Sequence, residues 1–143
     1  MSLQIKICGL TKAEDANTAA QHGAAMLGFV FFEPSPRNLT MREALKLAKA
    51  LPDGPDRVGV FVDADNELID DAIHALDLDW VQLHGTESPE RVAEIAAAFN
   101  VGIIKAIPIS SADDFRRVAA YIPHVDVFLF DAKTDDSDPL PGG

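Results

Sequence analysis

The sequence predicts an α/β fold in which short parallel strands alternate with helices. Short apolar runs rich in Val, Ile and Phe are too brief to be ordinary helices, and they read as buried strands. The stretches between them place apolar residues three and four positions apart, as on one face of a helix. Strict alternation of the two element types favours a parallel sheet with right-handed crossovers. The 143 residues suit one domain with a sizeable core.

Six strands and five helices follow one another along the chain. Glutamates follow Thr11 and Thr40 three residues on, which is the capping-box pattern at a helix start, and Ser88 precedes a proline at a fourth helix start. Spaced apolar residues alone mark the third helix, and the fifth begins at Ser111. The predicted strands cover residues 4–8, 26–31, 58–62, 80–84, 102–107 and 125–130.

Polar residues inside these strands distinguish between two architectures. In an open doubly wound sheet helices cover both faces, so the strands should be apolar throughout. Here Lys6 and Cys8 alternate with isoleucines, Gln82 and His84 alternate with Val and Leu, and Lys105 lies between apolar neighbours. One helix-covered face and one polar face are typical of a barrel. The sequence therefore predicts a single domain over residues 1–143, a (β/α)₈ TIM barrel with about six of eight units present.

Composition narrows the classes of partner. Twelve Lys and Arg against 23 Asp and Glu give a net charge of −11, which disfavours nucleic acid and anionic membranes as partners. A phosphate site would have to be local. The single cysteine excludes an internal disulfide and suits a reducing compartment. No signal peptide and no apolar run of about 20 residues is present, so a cytoplasmic location is predicted.

Candidate reactive groups follow the strands, because barrel active sites lie at the carboxyl ends of strands. These positions hold Cys8, Asp63, His84 and Asp131, with Arg37 in a proline-stiffened loop after the second strand. A thiol beside Lys6 could act as a base or nucleophile. A carboxyl group in an apolar mouth could donate a proton, a histidine could do either, and an arginine suits a carboxylate or phosphate.

Each candidate also has a structural interpretation. Cys8 could be a small buried side chain, Asp131 a capping residue, His84 a hydrogen-bonded structural histidine, and Arg37 a surface cation. Asp63 is expected to belong to the start of the third helix. The spacing of His, Cys and carboxylates suggests no metal site, and glycine-rich phosphate loops are absent.

Several segments together resemble the phosphoribosylanthranilate isomerases, TIM-barrel enzymes of tryptophan biosynthesis. The matching segments occur in the order typical of that family and cover essentially the whole chain. They read KICGLT from Lys6, GFVF from Gly28, SPR from Ser35, VGVFV from Val58, VQLHG from Val81, IKA from Ile104 and FDAK from Phe130.

The resemblance implies an Amadori rearrangement of N-(5-phosphoribosyl)anthranilate to 1-(2-carboxyphenylamino)-1-deoxyribulose 5-phosphate. It implies that Cys8 is the general base, Asp131 is the general acid and Arg37 grips the anthranilate carboxylate. His84 and Gln82 would line the anthranilate side. The implied chemistry needs no cofactor and no metal, and the implied partner is the small-molecule substrate.

The sequence also differs from the family's pattern in one respect. It ends in a Pro- and Gly-rich stretch from Thr134 to Gly143, which is expected to form an active-site loop or the start of a disordered stretch. The last two strand–helix units of the family are missing, and with them the phosphate-binding loops. We therefore expect a fragment that is incomplete alone and whose partner could include its own missing C-terminal segment.

Other functions also fit the sequence. The sugar-phosphate isomerase of histidine biosynthesis uses two aspartates, which Cys8 argues against. Indole-3-glycerol-phosphate synthase uses a lysine acid, for which Lys6 and Lys105 are candidates. A non-catalytic half-barrel that binds a partner, or a redox sensor using Cys8, belongs to a different class.

Overall fold

The computed structural model describes residues 2–132, which form six strands, four α-helices and two 3₁₀ segments. The strands are β1 (Lys6–Ile7), β2 (Met26–Phe31), β3 (Asp56–Phe61), β4 (Trp80–Leu83), β5 (Gly102–Ile109) and β6 (Val127–Ala132). The helices are α1 (Ala13–Gln21), α2 (Met41–Ala48), α3 (Asn66–Leu76) and α4 (Pro89–Ala98), and the 3₁₀ segments are Ala112–Ala120 and Ile122–His124.

All six strands are parallel, and they lie in the sheet in their order along the chain, from β1 to β6. A doubly wound sheet reverses its strand order, so that alternative is wrong for the described residues. The sheet is curved. Three strand spacings of about 4.8 Å separate β1 from β4, yet the side chains of Lys6 and Gln82 are hydrogen-bonded to each other. The six strands thus form a half-barrel.

Most of the hydrophobic core lies between the outer face of this half-barrel and the helices. Leu27, Phe29, Phe61 and Val81 are fully buried there against helix residues such as Ile69. The inner face has a smaller apolar cluster at its base, formed by Val58, Val60 and Ile104 with Met26, Val30, Trp80 and Leu129. The predicted division into a helix-covered face and an inner face is confirmed.

Several predicted helix starts are confirmed. Thr40 and Glu43 form the capping box of α2, and the Ser88 hydroxyl accepts a hydrogen bond from the backbone N–H of Arg91 at the start of α4. The capping box at Thr11 is wrong. Helix α1 begins at Ala13 after Lys12, which puts Glu14 at the second helical position rather than the third, so its carboxylate cannot close the box.

The predicted fifth helix is a 3₁₀ segment, Ala112–Ala120. No residue of this segment is buried. Because α-helices in proteins are stabilised mainly by packing of an apolar face, this exposed segment lacks the contacts that favour an α-helix.

The side chain of Lys105 points to the other face of the sheet from the one predicted. The sequence pattern placed it with the polar side chains of the inner face, but it pairs in register with Leu83, a core residue of the helix side. Its side chain therefore points outward from the half-barrel. There it is buried and bound to Glu87, so it does not reach the inner face.

The tail from Thr134 to Gly143, predicted as a loop or disordered stretch, lies outside the described residues. Within residues 2–132, no helix combines the length and the apolarity that crossing a membrane requires.

Candidate active site

A cavity of about 260 Å³ opens at the carboxyl ends of the strands. Its size is near the lower end of the ~300–1,000 Å³ that small-molecule sites occupy. The five residues predicted to act on or bind a substrate all line it: Cys8, Arg37, Gln82, His84 and Asp131. The half-barrel therefore brings together residues up to 123 positions apart, since Cys8 follows β1 and Asp131 lies in β6.

Cys8 is exposed at the mouth of the half-barrel, so the buried structural interpretation of this thiol is wrong. Its side chain lies against Gly28 in β2, where an added Cβ would come within 2.8 Å of the sulfur. Only glycine leaves room for the thiol at this point. The thiol is therefore both accessible from the cavity and held against its wall.

The loop after β2 positions Arg37. Ser35 stabilises a tight turn, because its hydroxyl accepts a hydrogen bond from the Arg37 backbone N–H at 3.2 Å and its carbonyl accepts one from the Asn38 N–H at 3.1 Å. Asn38 then forms a bridge with Val30. The Arg37 side chain packs over Gly9, whose φ of +78° and missing Cβ allow this close approach.

Hydrogen bonds connect side chains across the inner face. The Lys6 ammonium donates to the Gln82 side-chain oxygen. The Gln82 amide nitrogen lies 2.9 Å from His84 Nδ1, and His84 Nε2 lies 3.2 Å from Asp131 Oδ2. Gln82 is only 2% exposed, whereas the His84 and Asp131 side chains are 28% and 38% exposed. The buried Gln82 thus holds His84, and through it Asp131, in place at the cavity.

Burial affects the ionisation of Lys6. Removal of its ammonium from water lowers the pKa of Lys6 below its ordinary value, and the neighbouring Cys8 partly opposes this because a thiolate would favour the cation. Lys6 is thus a lysine whose proton is held less tightly than usual, close to the thiol.

A buried ion pair braces the loop that follows His84. Lys105 Nζ lies 2.9 Å from Glu87 Oε1, and both side chains are at most 2% exposed. The same ammonium also donates to the carbonyl oxygens of Leu83 and Gly85, at 3.3 and 2.9 Å. These carbonyls flank His84, so the ion pair fixes the backbone from which the imidazole projects.

Asp63 belongs to this brace rather than to the cavity. Its backbone N–H donates to Glu87 Oε2 at 2.9 Å, and its carboxylate accepts from the Thr86 backbone N–H at 2.9 Å. It does not line the cavity, and Asp65 is the residue that caps α3. The expectation that Asp63 starts the third helix is therefore wrong, since it joins two loops.

The other residues that line the cavity are mostly apolar, and they include Val30, Phe32, Val60 and Val62. A mostly apolar cavity that a guanidinium also lines suits a flat aromatic ring that carries a carboxylate. The thiol and the carboxyl group could exchange protons with a substrate lying between them. Among residues 2–132, no three His, Cys, Asp or Glu side chains form a group suited to a metal ion.

Sequence reasoning missed two parts of this site. The direct bond between Lys6 and Gln82 was absent from the prediction, although alternation already put both on the inner face. The role of Glu87 could not be predicted from its position, because an acidic residue just before a helix normally indicates a favourable charge at the helix N-terminus. Only the fold shows that its carboxylate turns inward to Lys105.

Comparisons with known proteins agree with this geometry. The sequence model of N-(5'-phosphoribosyl)anthranilate isomerase matches residues 5–138. The N-(5'-phosphoribosyl)anthranilate isomerase of Sinorhizobium medicae is 45% identical over 143 residues, which are 100% of this chain and 66% of that protein.

Solved structures give the same result. The phosphoribosyl anthranilate isomerase of Thermotoga maritima superposes with a TM-score of 0.85 at 36% identity, over 94% of this chain and 64% of its own. A phosphoribosyl anthranilate isomerase in complex with reduced 1-(o-carboxyphenylamino)-1-deoxyribulose 5-phosphate gives 0.83 at 36% identity, over 92% and 66%. The chain thus spans just under two thirds of the length of these relatives, 64–66%. On the strength of the matched residues, it belongs to the N-(5'-phosphoribosyl)anthranilate isomerase family.

Proposed function

We propose that this chain supplies the acid–base machinery of an isomerase that converts N-(5-phosphoribosyl)anthranilate into 1-(2-carboxyphenylamino)-1-deoxyribulose 5-phosphate. The observation that carries the proposal is the shared cavity, which a thiol, a carboxyl group and a guanidinium all line. A relative of the same family binds the reduced form of that product. Membership of the family and the chemistry of the cavity point to the same reaction.

Asp131 acts as the general acid in the first step. It donates a proton to the ribose ring oxygen, the C1′–O bond breaks, and a Schiff base to the anthranilate nitrogen forms. The carboxylate that remains is stabilised by the hydrogen bond with His84 Nε2, 3.2 Å away. A donor aimed at a charge that develops during the reaction lowers the barrier for forming it.

Cys8 acts as the general base in the second step. Its thiolate removes the C2′ proton, the electron pair moves into the C1′–C2′ bond, and an enol-amine forms. Tautomerisation of the enol-amine gives the ketone and completes the isomerisation. Lys6, the lysine next to Cys8, favours the thiolate electrostatically when it is charged. Two proton transfers give the enol-amine, and its tautomerisation moves a further proton from the enol oxygen to C1′; because every step moves only protons, we propose no cofactor and no metal.

Arg37 and the apolar walls hold the substrate. The guanidinium donates two hydrogen bonds to the anthranilate carboxylate, and Phe32 and the valines contact the aromatic ring. Gln82 and His84 lie on that side of the cavity. Because the net charge is −11, this local cation is needed to offset repulsion of the anionic substrate.

We also propose that the half-barrel belongs to a single-domain, eight-unit TIM barrel in the cytoplasm. The sequential strand order and the curvature support this, and so does the 66% coverage of the Sinorhizobium medicae relative. The phosphate of the substrate would then bind at the loops after the seventh and eighth strands, as it often does in such barrels. Those units would be the partner of the described surface.

The experiment compares the chain alone with a chimera in which it is joined to the remaining third of the Sinorhizobium medicae relative. Substrate is generated in the assay, and product formation is followed. We expect turnover by the chimera. Cys8→Ser and Asp131→Asn in the chimera should each lower kcat by about 10²–10⁴-fold, the usual contribution of a general acid or base.

Exposed residues on α1 and α2 give the matched controls. Gln21→Ser introduces the same residue as Cys8→Ser, and Glu43→Gln neutralises a carboxylate as Asp131→Asn does; both positions are exposed and neither lines the cavity, so kcat should stay unchanged. A folded chimera without turnover would contradict the proposed function. Near-normal turnover in Cys8→Ser or Asp131→Asn would remove the role of that residue alone.

A further inference from the structure

The hydrogen-bonded row from β1 to β6 has a direction that follows from its chemistry. The Lys6 ammonium can only donate, so it fixes the oxygen of the Gln82 amide toward β1. The amide nitrogen then faces His84 Nδ1, 2.9 Å away. An amide NH₂ group also can only donate, so Nδ1 must be the unprotonated nitrogen of the ring.

The remaining ring nitrogen completes the row. With Nδ1 unprotonated, the neutral imidazole carries its proton on Nε2, and this N–H donates to Asp131 Oδ2 at 3.2 Å. The burial of Gln82, 2% exposed, keeps water from replacing either partner. The ion pair of Lys105 and Glu87 holds the backbone on both sides of His84.

We propose that Lys6 and Gln82 are positioning residues that set the tautomer of His84, and that His84 in turn holds Asp131 Oδ2. The proton that Asp131 delivers then belongs on Oδ1, the other oxygen of its carboxyl group. This inference rests on the proposed function for the role of Asp131 as an acid, but the tautomer itself does not. Gln82 thereby acts through His84, and its action does not require contact with the substrate.

Other histidines of the chain provide an internal contrast. His22 Nδ1 lies 2.9 Å from the carbonyl oxygen of Thr18, and His74 Nδ1 lies 2.8 Å from that of Asp70. A carbonyl oxygen only accepts, so these two rings carry their proton on Nδ1 when neutral. His84 should therefore show the opposite tautomer under the same conditions.

Long-range ¹H–¹⁵N correlation NMR on the full chain with labelled histidine tests this directly. The spectra are recorded at a pH at which the imidazoles are neutral, where their two ring nitrogens are distinguishable. We expect the Nε2–H form for His84 and the Nδ1–H form for His22 and His74. A dominant Nδ1–H form of His84 would overturn the proposal.

Gln82→Glu is the sharpest variant, because it keeps the shape of the side chain and leaves a partner for Lys6. A carboxylate only accepts, so Nδ1 should become protonated in this variant, either because the ring proton moves from Nε2 or because the ring, now between two carboxylates, takes up a second proton. An unchanged tautomer in this variant would also overturn the proposal. If the variant does not fold, Lys6→Met decides the matter, since release of the amide oxygen should give a mixture of both tautomers.

A kinetic measurement in the active chimera separates a positioning role from a structural one. We expect Gln82→Glu to lower kcat roughly tenfold or more with little change in KM, because a wrong protonation state of the His84 ring impairs the chemical step. Gln21 is exposed on α1, so the control Gln21→Glu should change neither kcat nor KM. Normal kcat with the altered tautomer would remove the catalytic part of the inference. Absence of turnover in the unsubstituted chimera would count against the proposed function, while the NMR result would still decide the tautomer of His84.

Discussion

The absence of a side chain at Gly28 leaves the space that the Cys8 thiol occupies. Gly28 lies in β2 with its α-carbon facing Cys8, and a Cβ there would meet the sulfur at 2.8 Å and the Cys8 Cα at 3.1 Å. Contacts this close force the thiol or its backbone to shift. The glycine therefore fixes where Cys8 lies in the cavity.

We predict that Gly28→Ala lowers kcat on the order of 10–100-fold in the active chimera, because a displacement near 1 Å can cost about 100-fold in a positioned reaction. Steady-state kinetics measures this. The matched control is Gly59→Ala in β3, where the added Cβ meets Leu78 and Phe61 instead. That variant should lose stability but keep its kcat. Equal kcat values for the two variants would show that Gly28 does not position Cys8.

At the scale of single residues, alternation along strands predicted much of the site. Cys8 and His84 were placed on the inner face because residues two apart in a strand share a face. The same rule, applied to β5, gave the wrong face for Lys105, because an isolated polar residue between apolar neighbours carries no sign of which side is the core. The Lys105 ammonium can be buried because it pairs with Glu87, which lies 18 residues away along the chain.

At the scale of elements, the 3₁₀ segment Ala112–Ala120 depends on polar contacts at its start. The Asp114 carboxylate accepts hydrogen bonds from the backbone N–H groups of Ser110 and Ser111, at 2.8 and 3.1 Å. These bonds lower the pKa of Asp114 to about 2, with a smaller contribution from Arg117. Because no side chain of the segment is buried, this cap is the main local constraint on it.

The sign of the pH dependence follows from the lowered pKa. The folded form of Asp114 has the lower pKa, so its stabilising contribution is complete above the unfolded value of about 3.9 and is lost as the pH falls toward 2. We predict that Asp114→Asn has a lower urea midpoint than the parent chain at pH 5–7. The difference should shrink between pH 4 and pH 2.

Asp113→Asn is the control for this prediction. Its carboxylate lies 3.5 Å from the Arg116 guanidinium on the exposed surface, and such exposed pairs contribute little to stability. Its midpoint should stay close to that of the parent chain at every pH. A difference for Asp114→Asn that persists unchanged to pH 2 would contradict the role given to this cap.

Elements were predicted from sequence where a local rule suffices. The bounds of β2 and the caps at Thr40 and Ser88 follow from patterns within a few residues. The missing α-helix after Ser111 could not be foreseen in this way. Its helical spacing is present, but whether the apolar face of a helix is packed depends on neighbours that local sequence does not show.

At the scale of the molecule, the two outer strands of the described sheet are β1 and β6, and each pairs with one neighbour among residues 2–132. Apolar side chains on or directly beside these strands are exposed: Ile5, just before β1, and Ile7 at 46% and 39%, and Val127 and Phe130 in β6 at 40% and 51%. Open strand edges with apolar side chains can pair with other chains. The net charge of −11 opposes this, because like-charged molecules repel one another.

These two opposing effects predict salt-dependent self-association of the 143-residue chain. Salt shortens the range of charge repulsion to about 8 Å at physiological ionic strength, whereas edge pairing is unaffected. Size-exclusion chromatography with light scattering should therefore show larger species as salt and protein concentration rise. The chimera, whose added units are proposed to cover the edges, should stay monodisperse under the same conditions.

Ile7→Lys tests whether β1 is the surface that associates, since a lysine on an edge strand discourages pairing. Leu45→Lys is its matched control: Leu45 is 55% exposed on α2, away from both edges, and the substitution changes the net charge by the same amount. We expect Ile7→Lys to reduce association and Leu45→Lys to leave it nearly unchanged. Equal reduction by both would assign the effect to net charge. A chain that stays monomeric at high salt would show that its outer strands are protected within the 143 residues themselves.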